Sequence, residues 1–254
     1  MFDITHHPVV LFLAISPLLW LATRWGVRLA KRYPLDEEMR QDFGVLQGAA
    51  LTLLGLLVAF SFSMAAGRYD QRKNLEEAEA NAIGTEYLRA DLLPAADADK
   101  LRRLLRSYVQ LRIDFYTTAD EEKLRDVDRR TAKLQEELWA AVLGPAVATH
   151  SPVVALAVAG MNDALNSQGY TQAAWWNRLP TSAWGLLVVI ALCCNVLMGY
   201  GARSFAKALH LALIFPLFIA IALAFIADID SPRHGIIRVQ PQNLMTLAKS
   251  FPAE

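Results

Sequence analysis

The sequence predicts an all-α membrane protein, with four transmembrane helices and a helical bundle domain inserted between the second and third. Three observations predict it. Of the 254 residues 54% are hydrophobic, yet 20% are charged, so charge and apolarity must be segregated along the chain. Four stretches free of Asp, Glu, Lys and Arg are long enough to span a bilayer: residues 4–23, 43–67, 179–202 and 208–227. Crossing the hydrocarbon core takes about 20 apolar residues in a helix. Only helices and closed barrels satisfy their backbone there, and these runs lack strand-like alternation. Residues 68–178, by contrast, are rich in charge, with apolar positions recurring at spacings of three and four. The chain therefore divides into residues 1–67 (spans one and two), 68–178 (an extramembrane helical domain), 179–230 (spans three and four) and 231–254 (a C-terminal tail).

The first apolar run is not a cleavable signal peptide. No positive segment precedes it, and Arg24, Arg28, Lys31 and Arg32 follow it instead. Pro17 and Pro216 lie inside spans, where kinks are tolerated. Past the second span the helical character continues over 68–93. Leu101, Leu104, Leu105, Tyr108, Leu111 and Phe115 then share one helical face, as do Leu124, Val127, Thr131, Leu134, Leu138 and Ala141. Thr118 and Glu121 have the spacing of a capping box between these two helices. Pro94 and Pro145 punctuate the region, and residues 151–168 fit one more short helix. Trp175 and Trp176 suit an interfacial aromatic belt. Asn195 is placed to hydrogen-bond a neighbouring helix.

Lys and Arg cluster between spans one and two (Arg24, Arg28, Lys31, Arg32, Arg40) and between spans three and four (Arg203, Lys207). By the positive-inside rule both short loops are cytoplasmic. In a bacterial inner (cytoplasmic) membrane, both termini and residues 68–178 would then be periplasmic. Arg68, Arg72 and Lys73 pull the other way, but long domains cross largely regardless of charge.

Lys+Arg and Asp+Glu balance at 25 each, so no basic excess points to nucleic acid. Cys193 and Cys194 are adjacent and carry no metal-ligand spacing. The histidines at 6, 7, 150, 210 and 234 form no cluster. There is no G-x-S-x-G, H-E-x-x-H, phosphate-binding loop or dinucleotide fingerprint. No enzyme, metal or cofactor is indicated.

Two features are candidates for function. In the second span Gly44, Gly48, Gly55, Ala59, Ser63 and Ala66 form a small-residue stripe, counting about 100° per residue. Such a stripe suits close packing within one subunit, or a pore or oligomer seam. Gln47, Thr52, Ser61 and Ser63 make this the most polar span, so Gln47, Gly48, Thr52, Gly55, Ala59 and Ser63 are the candidate pore lining. Arg68, Asp70 and Arg72 follow the second span, and Asp228, Asp230 and Arg233 follow the fourth. Four spans bring these ends to one side of the membrane. Arg68 or Arg72 is expected to pair with Asp228 or Asp230, and the group would form a charged mouth. Within Glu79–Arg89, Gly84 sits inside a helix, where it costs roughly 1 kcal/mol relative to Ala and marks close packing.

From the second span to the C-terminus the sequence resembles the bacterial bestrophin-like membrane proteins. The resemblance is carried by Arg68-Tyr69-Asp70-x-Arg72, by Glu79-Ala80-Asn81-Ala82-Ile83-Gly84-Thr85, by Leu88-Arg89-Ala90-Asp91-Leu92-Leu93-Pro94, by Arg112 and Asn162, and by Asp228-x-Asp230-x-Pro232-Arg233-x-Gly235. It makes Glu79, Asn81, Gly84, Thr85 and Arg89 motif positions. True bestrophins are oligomeric anion channels that keep the inserted domain in the cytoplasm, opposite to the orientation the charges give here. The resemblance thus implies a homo-oligomeric ion channel, with lipid, other copies of the chain and ions as partners, and anion selectivity if arginines dominate the mouth. A non-conducting sensor or scaffold, whose helical domain binds a partner, is the alternative. A symmetric oligomer with a continuous axial path separates the two.

Overall fold

The computed structural model describes residues 7–202 and 211–252. The beginnings of the predicted first and fourth spans (residues 4–6 and 208–210) and the loop charges Arg203 and Lys207 lie outside the described residues. Among the described residues the chain forms α-helices and no strand: α1 (Pro8–Arg32), α2 (Glu37–Arg89), α3 (Ala95–Thr117), α4 (Glu121–Thr149), α5 (Pro152–Trp176), α6 (Thr181–Gly201), α7 (Leu211–Asp230) and α8 (Gln242–Ser250). Apolar stretches of membrane-spanning length lie in α1, α2, α6 and α7. The chain divides into two compact units, Met1–Arg68 with Arg178–Ile237, and Tyr69–Asn177 with Arg238–Glu254.

In the first unit α1 packs against α6 and α7. Its buried stripe is Leu11, Ile15, Leu19, Ala22 and Gly26, the three-and-four spacing of one helix face. α1 and α6 touch backbone to backbone at two glycines. A Cβ on Gly26 would collide with the Val196 carbonyl oxygen, and one on Gly199 with the Thr23 carbonyl oxygen. The Thr23 hydroxyl is shared between the Leu19 carbonyl and Asn195 Oδ1, 3.1 Å from each, so Asn195 does bond across helices. Pro17 and Pro216 interrupt neither helix.

The second unit is built from residues 69–89 of α2 together with α3, α4, α5 and α8. Its core holds Leu101, Leu105, Tyr108, Phe115, Val127, Leu138, Ala141 and Val142, with Met161 and Ala164 from α5. Three local expectations are corrected. The cap of α4 is Asp120, which accepts from the Glu122 and Lys123 N–H groups at 2.9 and 3.0 Å; Asp at an N-cap reaches two orphan donors, and Thr118 is left as the C-cap of α3. Pro145 does not break α4, which runs on to Thr149 and ends where His150 adopts φ 47°. The helix expected over 151–168 extends to Trp176. The segment read only as a tail also forms α8, which packs on α3.

Candidate functional site

Of the apolar stretch of α2 only 11% is buried within the chain, against 28, 33 and 44% for the other three. Its inward side carries Leu54, Ser61 and Ala65, all buried. Gln47 lies on this side, its amide 2.9 Å from Met198 Sδ, and the Cys194 thiol donates to the Ala50 carbonyl. The other five candidate pore residues, Gly48, Thr52, Gly55, Ala59 and Ser63, are exposed. A Cβ added at Gly44, Gly48 or Gly55 would meet nothing within 4 Å. Gly44, Gly48 and Gly55 therefore serve no close packing against the described residues, whereas Gly26 and Gly199 do so at the crossing of α1 and α6, and Gly201 and Gly235 elsewhere in this unit.

At the end of the fourth span the two aspartates are structural anchors as well as charges. Asp228 accepts from the N–H groups of Ile236 and Ile237 at 2.6 and 2.9 Å. Its carbonyl oxygen lies where a Cβ on Gly235 would be, so the chain turns back against α7. Asp230 accepts from the Leu179 N–H at 3.1 and 3.2 Å and stands 3.7 Å from Arg68. Of the pairings expected from the sequence, Arg68 with Asp230 is present. Asp70 is exposed and Arg233 half-buried. Arg72 is buried and donates to the carbonyls of Ala174 and Asn177, both at 3.2 Å.

In the second unit the motif residues resolve into a buried face and an exposed one. Arg72, Glu76, Glu79, Ile83, Glu86 and Ala90 are buried, at alternating spacings of four and three. This is the spacing of a core stripe, occupied here mostly by charged residues. Glu76 takes the first turn of α8, accepting from the Leu244 N–H at 3.0 Å and the Asn243 amide at 2.6 Å. Glu79 is ion-paired with Arg112 Nε and also accepts from the Tyr116 and Thr171 hydroxyls, both at 3.2 Å. The Arg112 guanidinium lies 4.4 Å over the Phe115 ring. Burial alone would lower its pKa, but the Glu79 carboxylate holds it above the usual value. Burial also pushes the Tyr108 hydroxyl up to about 12. Gly84 is where Leu247 of α8 approaches, 3.0 Å from a would-be Cβ, which explains a glycine inside this helix. Asn81 and Thr85 stay exposed beside it, lining with Leu88 and Thr246 a groove of about 670 Å³. Among the described residues no group of three or more His, Cys, Asp or Glu is arranged to hold a metal.

A family model for the bestrophin-like domain matches residues 12–244. The chain belongs to the bestrophin-like family. Bestrophin-like structures share its fold at low identity. A bacterial bestrophin homologue from Klebsiella pneumoniae is 14% identical, with a TM-score of 0.62 over 96% of this chain and 99% of that one. A variant of the Klebsiella pneumoniae homologue is 13% identical, with a TM-score of 0.62 over 94% and 97% of the two chains. A structure described only as a membrane protein is 15% identical, with a TM-score of 0.64 over 94% and 100%. No curated protein matches this bestrophin-like chain. Sequence reasoning reached Glu79 and Arg112 through the family resemblance but missed Glu76 and Glu86. The signal that could have found them is the charged stripe itself, in register with the apolar Ile83 and Ala90.

Proposed function

We propose that this chain forms a homo-oligomeric ion channel in the bacterial inner membrane, with α2 lining the pore. The observation that carries this reading is the open face of α2, where Gly48, Thr52, Gly55, Ala59 and Ser63 are exposed and a Cβ on Gly48 or Gly55 would meet none of the described residues within 4 Å. A helix so little buried is covered by lipid or by other subunits. Small and hydroxylated residues along one face suit close approach of helices and a wetted path better than they suit lipid tails. At the mouth Arg68 is committed to Asp230 and Arg72 to two carbonyls. Asp70 is the exposed charge of the three, which favours cations over anions at the mouth. Purified protein in liposomes is expected to pass ions, and Gly48→Leu or Gly55→Leu to cut the flux at least tenfold without unfolding the protomer, because the leucine meets nothing inside it. Impermeable liposomes, or unchanged flux and assembly in both variants, would overturn the reading.

The same proposal places residues 68–178 in the periplasm, on the strength of the Lys and Arg in the two short loops. Single cysteines introduced over 120–130 are expected to react with a membrane-impermeant thiol reagent in intact spheroplasts. Labelling confined to lysed cells would reverse the orientation.

A further inference from the structure

Glu86 stands apart from the other carboxylates of the α2 stripe. Glu76 and Glu79 each accept hydrogen bonds; Glu86 is fully buried and neither of its oxygens has a hydrogen-bond partner among the described residues. Across from it α5 carries a glycine. A Cβ on Gly160 would fall on Glu86 Oε2 and on Arg89 Nη1, and lie 2.9 Å from Arg89 Cδ. Only the missing side chain lets α5 come down onto the carboxyl. An ionised carboxylate without donors in so dry a place is strongly disfavoured, whereas the neutral acid is tolerated. Burial accordingly pushes the Glu86 carboxyl up to about 8; the Arg89 guanidinium opposes the rise and the Asp163 carboxylate adds to it. Arg102 of α3 is paired with Asp91 of the Ala90–Leu92 turn, and Arg106 donates to the Tyr87 hydroxyl.

We propose that the contact between Glu86 and Gly160 is a proton-operated clasp: with the carboxyl protonated, α5 closes onto α2 and the Ala90–Leu92 turn, and loss of that proton to solvent releases this stretch of α5. The direction follows from linkage. The folded unit holds the proton up to a pH near 8, whereas an exposed glutamate releases it near 4.5. The closed form is therefore favoured below that window and weakened progressively as pH rises through it. The inference stands whether or not the protein conducts ions.

Hydrogen exchange on the full-length protein in nanodiscs tests it. After correction for the intrinsic pH dependence of exchange, protection of amides around Gly160 should drop about tenfold or more as the carboxyl titrates. Glu86→Gln keeps the shape of the neutral acid and should make that protection independent of pH. Asp163→Asn alters an exposed residue, removes a like charge, and should move the midpoint to lower pH. The clasp is overturned if wild-type protection stays flat, if Glu86→Gln retains the wild-type pH response, or if the midpoint ignores Asp163→Asn.

Discussion

Replacing Arg112 with alanine is expected to cost the second unit about 3–5 kcal/mol, the range for breaking a buried ion pair from one side. The Glu79 carboxylate would remain fully buried with only the Tyr116 and Thr171 hydroxyls as donors. The Phe115 ring would also lose the cation above it. Folded domains are stable by only about 5–15 kcal/mol, so the loss is a large fraction of the whole. Thermal unfolding in detergent, followed by the near-ultraviolet signal of Trp175 and its neighbours, measures it. Glu79→Leu should be comparably harmful, because it strands the guanidinium. The double variant Glu79→Leu/Arg112→Leu should be less damaging than the sum of the two, since no uncompensated charge is left. A loss below about 1 kcal/mol for Arg112→Ala would mean that the pair is solvated in practice and that the core does not depend on it.

The second large effect belongs to the crossing of α1 and α6. Gly26→Ala and Gly199→Ala each place a methyl group against a backbone carbonyl of the opposite helix. A flexible side chain can swing away from such an intrusion; helix backbone must shift as a body. Overpacking typically costs about 1–3 kcal/mol, and these sites should lie at the top of that range, with leucine at either one preventing accumulation of folded protein. Separating the helices also breaks the Thr23–Asn195 hydrogen bond, leaving Asn195 Oδ1 without its donor in an apolar interior. Gly44→Ala is the matched comparison: it too changes a glycine in the first unit, but its methyl meets nothing. The apparent melting temperatures of the three alanine variants should order accordingly. A Gly26→Ala variant as stable as wild type would show that the two helices have slack at their crossing.

The spans were legible because hydropathy is a one-dimensional signal: the charge-free runs fall on α1, α2, α6 and α7. The continuation of the second span past residue 67 was legible too, as was the apolar periodicity of α3 and α4. Partners were harder to read. Gly44, Gly48 and Gly55 form the more obvious stripe, yet Gly26 and Gly199 make the close contact, since glycine spacing within one helix does not say what faces it. Asp120 displaced Thr118 as a cap because both lie within three residues of the helix start and only the backbone geometry there selects between them. Glu76 and Glu86 were missed for a deeper reason. Pattern reading assigns charge to the solvent face, and that assumption fails where a buried charge finds an arginine, a helix start or a proton.

The hold of Glu76 on Leu244 joins residues 168 positions apart in sequence, with α6 and α7 between them. A ribosome therefore makes residues 69–177 well before the piece that completes them. Until α8 arrives, Glu76 lacks its two donors, the Leu244 site is empty and the Tyr87 ring lacks Phe251, stacked on it at 4.2 Å in the finished fold. The nascent protein carries an oily, half-charged slot for as long as the last two spans are still being made. Docking of α8 is thus also the chain's own certificate that every span before it has been made.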